Sequence, residues 1–302
     1  MSIKRKKIAI SGVFLSLLVI AGLLLMRSLQ NRPHFKVAEP VYTIPRQILF
    51  GYTLKNTTNR IIPKAELWVY GPVFQTATQK CAALETSQPH EGIKDGLGNQ
   101  IIHFTFENFP PYGTRIVRVQ ADLLLSKTPN RLSDQGVTSF LAAEKYLESD
   151  HLLIMERANE LKTGSNSETV TAIFNWVAGQ IHYAGYLSRD RGALYALRNR
   201  KGDCTEYAYL FAALARARKI PARTMGGYIC RGSAVLKASG YHNWAEFMEE
   251  GIWKLADPQN RMLRKTPLDY VAMRIMGDQG ESPMGDHHRF RFKGEGLKVR
   301  MN

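Results

Sequence analysis

Cysteine is scarce, with three in 302 residues, and no Cys-x-x-Cys pair occurs. A disulfide scaffold and a thiolate zinc ribbon are both excluded. No internal repeat or low-complexity segment is present, which excludes a solenoid or propeller. Glycine (24) and proline (13) stay near ordinary usage and charged residues reach 22%, so the chain is neither collagen-like nor disordered. No acidic loop of the EF-hand type occurs, and nothing in the sequence asks for a metal or another cofactor. A single long apolar run excludes a multi-span membrane protein. Acidic residues are outnumbered, 26 against 41 Lys and Arg, for a net charge of +15. Setting aside residues 1–39 leaves +9, so the body is basic in its own right. No aromatic-basic motif accompanies that charge, so nucleic acid is not the expected partner.

The apolar run lies near the start. Lys4, Arg5, Lys6 and Lys7 precede an uncharged stretch from Ile8 to Met26. As a helix it spans about 28 Å, enough to cross a bilayer core. Arg27-Ser28-Leu29-Gln30 is no small-x-small cleavage site, so residues 1–30 read as an uncleaved membrane anchor. The tight basic cluster before the run places the N-terminus in the cytoplasm by the positive-inside rule. The expected location is the inner (plasma) membrane, single-pass, with the body periplasmic or otherwise extracytoplasmic.

Two periods divide the remainder. Residues 41–126 alternate: Ile48, Phe50, Tyr52 and Leu54, then Leu67 and Val69, then Ile102, Phe104 and Phe106. Turn signals such as Asp95-Gly96-Leu97-Gly98-Asn99 separate them, and the pattern predicts a small antiparallel β-sandwich. Residues 133–302 form the second domain, which begins with helical spacing. Ser165-Asn166-Ser167-Glu168 is a capping box, Asp190 is positioned to cap a short helix, and a third helix opens at Cys204. After Pro221 the pattern returns to strands, among them 242–248 and 252–255.

One group of residues carries chemistry. Cys204 stands where the loop Arg200-Lys201-Gly202-Asp203 meets a helix N-terminus. Free N–H groups and the positive end of the dipole favour thiolate there, and Gly202 permits close backbone approach. His242 heads the strand Tyr241-His242-Asn243-Trp244-Ala245-Glu246-Phe247, and a turn at Gly251 folds it against Ile252–Asp257. Asp257 and His242 therefore fall near the same end of a hairpin, where a carboxylate can orient an imidazole that serves a thiol. Cys81 and Cys230 read as buried free thiols, with a bridge between them as the other reading. The pair His287-His288 reads as a polar loop.

These pieces are similar to those of the transglutaminase-like superfamily. The resemblance rests on Gly202-Asp203-Cys204-Thr205-Glu206-Tyr207-Ala208, Ala212–Arg223, Gly227-Tyr228, His242-Asn243-Trp244-Ala245-Glu246, Trp253 and Asp257-Pro258, and it covers about 145–260. It implies an α+β, papain-like core in which a nucleophile helix packs on an antiparallel sheet. By the same resemblance Cys204 is the nucleophile, His242 the base and Asp257 the orienting acid. The family's oxyanion side chain comes from upstream of the nucleophile, where Tyr183 stands. Asn243 departs from the family pattern, which commonly has a small apolar residue at that point. The expected activity is thiol-mediated acyl transfer on a glutaminyl amide or peptide bond of a protein or peptide substrate, ending in cross-linking, deamidation or proteolysis. The alternative is a non-catalytic scaffold of the same fold in a cell-envelope complex.

Overall fold

The computed structural model describes residues 39–132, 136–187, 189–265, 268–277 and 282–302. The expected anchor at 8–26 lies outside them. Among the described residues, no helix is long and apolar enough to cross a membrane.

The alternating segment forms strands β1 (Ile44–Asn56), β2 (Ile62–Tyr70), β3 (Gln79–Thr86), β4 (Glu91–Lys94), β5 (Gln100–Phe109) and β6 (Thr114–Leu125). In β1, Ile48, Phe50, Tyr52 and Leu54 are buried at every second position, as a pleat with one face on a core requires. Strand β6 pairs antiparallel with β1 and β3, while β5 pairs antiparallel with β2 and β4. The two sheets share one apolar cluster that includes Phe50, Leu54, Leu67, Phe104 and Val119.

The helical segment supplies α1 (Leu152–Glu160), α2 (Asn166–Gln180), α3 (Ala193–Asn199) and α4 (Cys204–Ala217). Helix α2 starts on the predicted capping box: Ser165 Oγ accepts from Glu168 N, and Glu168 Oε2 accepts from Ser165 N. Helix α3 does not use Asp190 as its cap. It starts after Gly192, and Glu148 takes the Leu194 N–H at 3.1 Å. Asp190 instead accepts from Tyr209 Oη at 2.7 Å, so a tertiary partner outcompetes the local one. Two short strands, β7 (His182–Tyr183) and β8 (Lys201–Gly202), pair in parallel just ahead of α4.

Beyond α4 lie β9 (Ala222–Ile229), β10 (Ala234–Val235), β11 (Tyr241–Glu249), β12 (Ile252–Asp257), β13 (Met262–Leu263) and β14 (Tyr270–Met276). Five of these form one sheet in the order β13-β12-β11-β9-β14. Helix α4 is buried from Thr205 to Arg216, and its Phe211 packs on Phe247 of β11. This helix-on-sheet layer carries the chemistry-bearing residues.

The end of the chain returns to the sandwich. Strand β15 (Phe290–Lys293) pairs with β2, and β16 (Leu297–Met301) pairs with β1. Residues 290–301, which the sequence groups with the 133–302 segment, thus complete the sandwich sheets. Side-chain amides also join the sandwich to the outer edge of β14. Gln79 donates to Ala272 O at 3.0 Å and accepts from Ala272 N at 2.9 Å. Asn99 does the same for Ile275, at 2.9 and 2.6 Å. Each amide stands in for a neighbouring strand and covers an edge that would otherwise be open to pairing.

Candidate active site

Cys204 is the first residue of α4, half-buried and reduced. The chain stops being extended there because Asp203 caps the helix. Asp203 Oδ1 accepts from Thr205 N at 2.8 Å, and Glu206 Oε2 accepts from Asp203 N at 3.0 Å, which closes a capping box. The two buried carboxylates also hold the preceding loop. Leu187 N donates to Asp203 Oδ2, and Arg191 N donates to Glu206 Oε1, each at 2.9 Å. Burial, with Asp203 alongside, pushes the Glu206 carboxyl up to about 7 against the pull of its backbone donors. Gly202 is required by this arrangement: a Cβ there would lie 2.3 Å from Glu206 Cβ.

His242 enters from β11. The β11–β12 turn is Glu250-Gly251, both with positive φ (53° and 73°), which suits the twist of a two-residue hairpin. The register sets Glu249 opposite Ile252 and Ala245 opposite Ala256, so Asp257 reaches the His242 end of the pair. His242 Nε2 and Asp257 Oδ2 are 2.7 Å apart. Cys204 lies beside the imidazole, near enough to act on its protonation. Burial alone would lower the His242 pKa, but the hydrogen bonds and charges of Asp257 and Cys204 outweigh it and raise it to about 9. Asp257 is 1% exposed. Burial pulls its pKa upward, yet its bonds to His242, Tyr270 and Asn260 prevail and lower it.

Cys204, His242 and Asp257, brought out by the sequence from three separate segments, thus meet. Tyr183 is different. It pairs in β7 with Gly202 of β8, two residues before Cys204, but its side chain is 60% exposed and makes no hydrogen bond among the described residues.

Three supporting groups were not foreseen. Tyr270 Oη donates to Asp257 Oδ2 at 2.7 Å, and Asn260 Nδ2 donates to the same oxygen at 2.8 Å. Asn260 also gives its backbone N–H to Asp257 Oδ1 at 3.1 Å, so it forms an Asx-type turn that the segment Asp257-Pro258-Gln259-Asn260 allows. For Tyr270 no local signal exists, since it comes from another strand. The third group is Asn243, the residue that departs from the family pattern. It is 3% exposed and donates from Nδ2 to Thr205 Oγ1 at 2.8 Å.

Residues 156–258 match the model of the transglutaminase-like superfamily. This stretch is a transglutaminase-like domain. It runs from α1 to the end of β12 and contains Cys204, His242 and Asp257. Among curated proteins none matches the sequence. Among solved structures, the crystal structure of a "putative cysteine protease" from Cytophaga hutchinsonii is 18% identical. It covers 86% of this chain and 92% of its own, with a TM-score of 0.58. At that identity the likeness is one of fold, and it extends beyond the transglutaminase-like domain into the sandwich. The periplasmic domain of TgpA from Pseudomonas aeruginosa bound to ethylmercury is 17% identical over 72% of this chain and 91% of its own, with a TM-score of 0.37.

Proposed function

We propose that the transglutaminase-like domain is a cysteine-dependent acyl-transfer enzyme acting on polypeptides, with Cys204 as nucleophile, His242 as proton carrier and Asp257 as the group that orients it. The observation that carries this reading is the imidazole of His242 beside Cys204, with its Nε2 held at 2.7 Å from Asp257 Oδ2. A carboxylate fixes the ring orientation and favours the imidazolium, and that ion supplies a proton to a leaving group.

Cys204 as thiolate attacks the carbonyl carbon of a glutaminyl amide or peptide bond, and the C=O electrons move to oxygen. The Cys204 N–H, free at the first turn of α4, is the first donor for that oxyanion. Tyr183 is the proposed second donor. The C–N bond then breaks as His242 protonates the departing nitrogen, and an acyl-thioester remains. An amine or water attacks the thioester, His242 takes its proton, and the thiolate leaves. Capture by an amine gives a cross-link. Water gives deamidation or a cut chain. Residues 8–26 are proposed to anchor the enzyme in the inner membrane with this domain outside the cytoplasm.

The test is labelling by an electrophilic thiol probe, followed by mass spectrometry of candidate peptides. Cys204 should label far faster than a free thiol, and His242→Ala should remove that advantage. Cys204→Ala should abolish turnover while changing stability by no more than about 1–2 kcal/mol. Labelling at the free-thiol rate, indifferent to His242, would favour a non-catalytic scaffold instead.

A further inference from the structure

The segment upstream of the nucleophile is pinned beside it at two points. Tyr183 in β7 pairs with Gly202 in β8, and Ala184 N donates to Gly202 O at 2.9 Å. Three residues on, Leu187 N donates to Asp203 Oδ2, also at 2.9 Å. Gly202 and Asp203 immediately precede Cys204, so the backbone of 183–187 runs next to the thiol-bearing end of α4. A polypeptide bringing a carbonyl to Cys204 therefore passes close to this stretch.

The chain bends at Gly185, whose φ of 78° suits glycine and disfavours a residue with a Cβ. On either side of the bend the aromatic rings face solvent. Tyr183 is 60% exposed, and Tyr186, at 80%, is the most exposed large apolar side chain among the described residues. Tyr207 and Tyr209 of α4 behave differently: their rings are buried, and their hydroxyls donate to Ile181 O and Asp190 Oδ2. Tyr186 thus adds little to the core, while its backbone is fixed by the neighbouring pins. Covering such a ring is favoured in proportion to the area buried, and tyrosine loses little side-chain entropy when covered. No charged residue occurs from Tyr183 to Leu187, so this surface selects by ring contact and not by ion pairing.

We propose that Tyr186 is a specificity-determining residue that receives an aromatic side chain from the acyl portion of the polypeptide substrate. That portion stays on the thioester through both chemical steps, so a contact that holds it serves both. Two aromatic rings meet there edge to face or offset, the arrangements such pairs prefer. The proposal rests on the acyl-transfer reading for the place where the substrate reacts, but the ring contact itself needs no turnover.

Alkylation of the full chain by peptide chloromethyl ketones tests it. The probes are three tripeptide ketones, with phenylalanine at each position in turn and glycine elsewhere, the all-glycine ketone, and iodoacetamide. Each forms a C–S bond to the thiolate and releases chloride or iodide, and mass spectrometry follows the Cys204 adduct. At least one phenylalanine peptide should react about tenfold faster than the all-glycine peptide. Tyr186→Ala should reduce that ratio to about threefold or less, and Tyr186→Phe should keep it. Iodoacetamide, with no side chain to place, should modify parent and variants at one rate. The proposal is overturned if no phenylalanine peptide outpaces glycine, if the preference survives Tyr186→Ala, or if no peptide reaches Cys204. It is also overturned if Tyr186→Ala slows iodoacetamide as much as it slows the phenylalanine peptide, since the residue would then be structural. Iodoacetamide labelling at the free-thiol rate, indifferent to His242→Ala, counts against the acyl-transfer reading alone, because the phenylalanine-to-glycine ratio still reports the ring contact.

Discussion

Asn243 Nδ2 donates to Thr205 Oγ1 across 2.8 Å, and both side chains are buried. Each residue is the immediate chain neighbour of a proposed reacting group: Asn243 follows His242, and Thr205 follows Cys204. This hydrogen bond therefore joins the strand that carries the imidazole to the helix that carries the thiol. A small apolar residue at 243 would remove it. Thiol–imidazole geometry is sensitive to shifts of an ångström or less, which gives this bond a positioning role.

Asn243→Ala should cost about 1–3 kcal/mol, because the Thr205 hydroxyl loses its partner in a buried setting. Urea denaturation measures that loss. A positioning role adds a drop in kcat and in the rate of Cys204 labelling, with KM little changed. A loss of stability with labelling intact would make Asn243 a structural residue only.

Tyr270→Phe removes one of the hydrogen bonds that hold the Asp257 pKa down, so that pKa should move back up. The rate at neutral pH should fall modestly, while the acid limb of the pH–rate profile moves to higher pH. Asp257→Asn should be far more damaging, by orders of magnitude, since an amide does not favour the imidazolium and can hold the wrong tautomer. Comparable rates for the parent and Asp257→Asn would assign the orienting role to another acceptor.

The raised His242 pKa has a definite sign. Its folded value, about 9, lies above the ordinary 6.5. The stabilisation it brings is full below about pH 6.5 and disappears as pH rises through about 9, with an upper magnitude on the order of 3 kcal/mol. Asp257 acts oppositely: its lowered pKa contributes stability above its ordinary carboxylate range, and this is lost as the solution turns acid. Urea midpoints from pH 6 to 10 should fall for the parent and much less for His242→Ala. Activity should decline over the same alkaline range, because the proton donor is then lost.

Gly202→Ala should be poorly tolerated. The added Cβ would sit 2.3 Å from Glu206 Cβ, in a buried turn with little room to yield. A cost of about 1–3 kcal/mol is expected from overpacking, with slower Cys204 labelling because the α4 cap must shift. Thermal unfolding and labelling together check it, and a variant as stable as the parent would show that the turn can relax.

Local features were legible because they depend on near neighbours in the chain. The alternation in β1, the capping box at Ser165 and the turn at Gly251 each declare themselves within a few residues. Asp190 shows the limit of such reading. Its local pattern suits a helix cap, but Tyr209 and His288 take it instead, and a buried tertiary hydrogen bond outweighs a cap on a short helix.

The sequence alone determined which segments alternate, which coil, and which three residue types stand in an order suited to thiol chemistry, because periodicity and capping are written over spans of one or two turns. Only the tertiary structure decided who meets whom: Tyr270 on Asp257, Asn243 on Thr205, Gln79 and Asn99 along β14, and residues 290–301 in the sandwich. Such pairings join positions far apart in the chain through single side chains, and one side chain leaves no period in the sequence to be read.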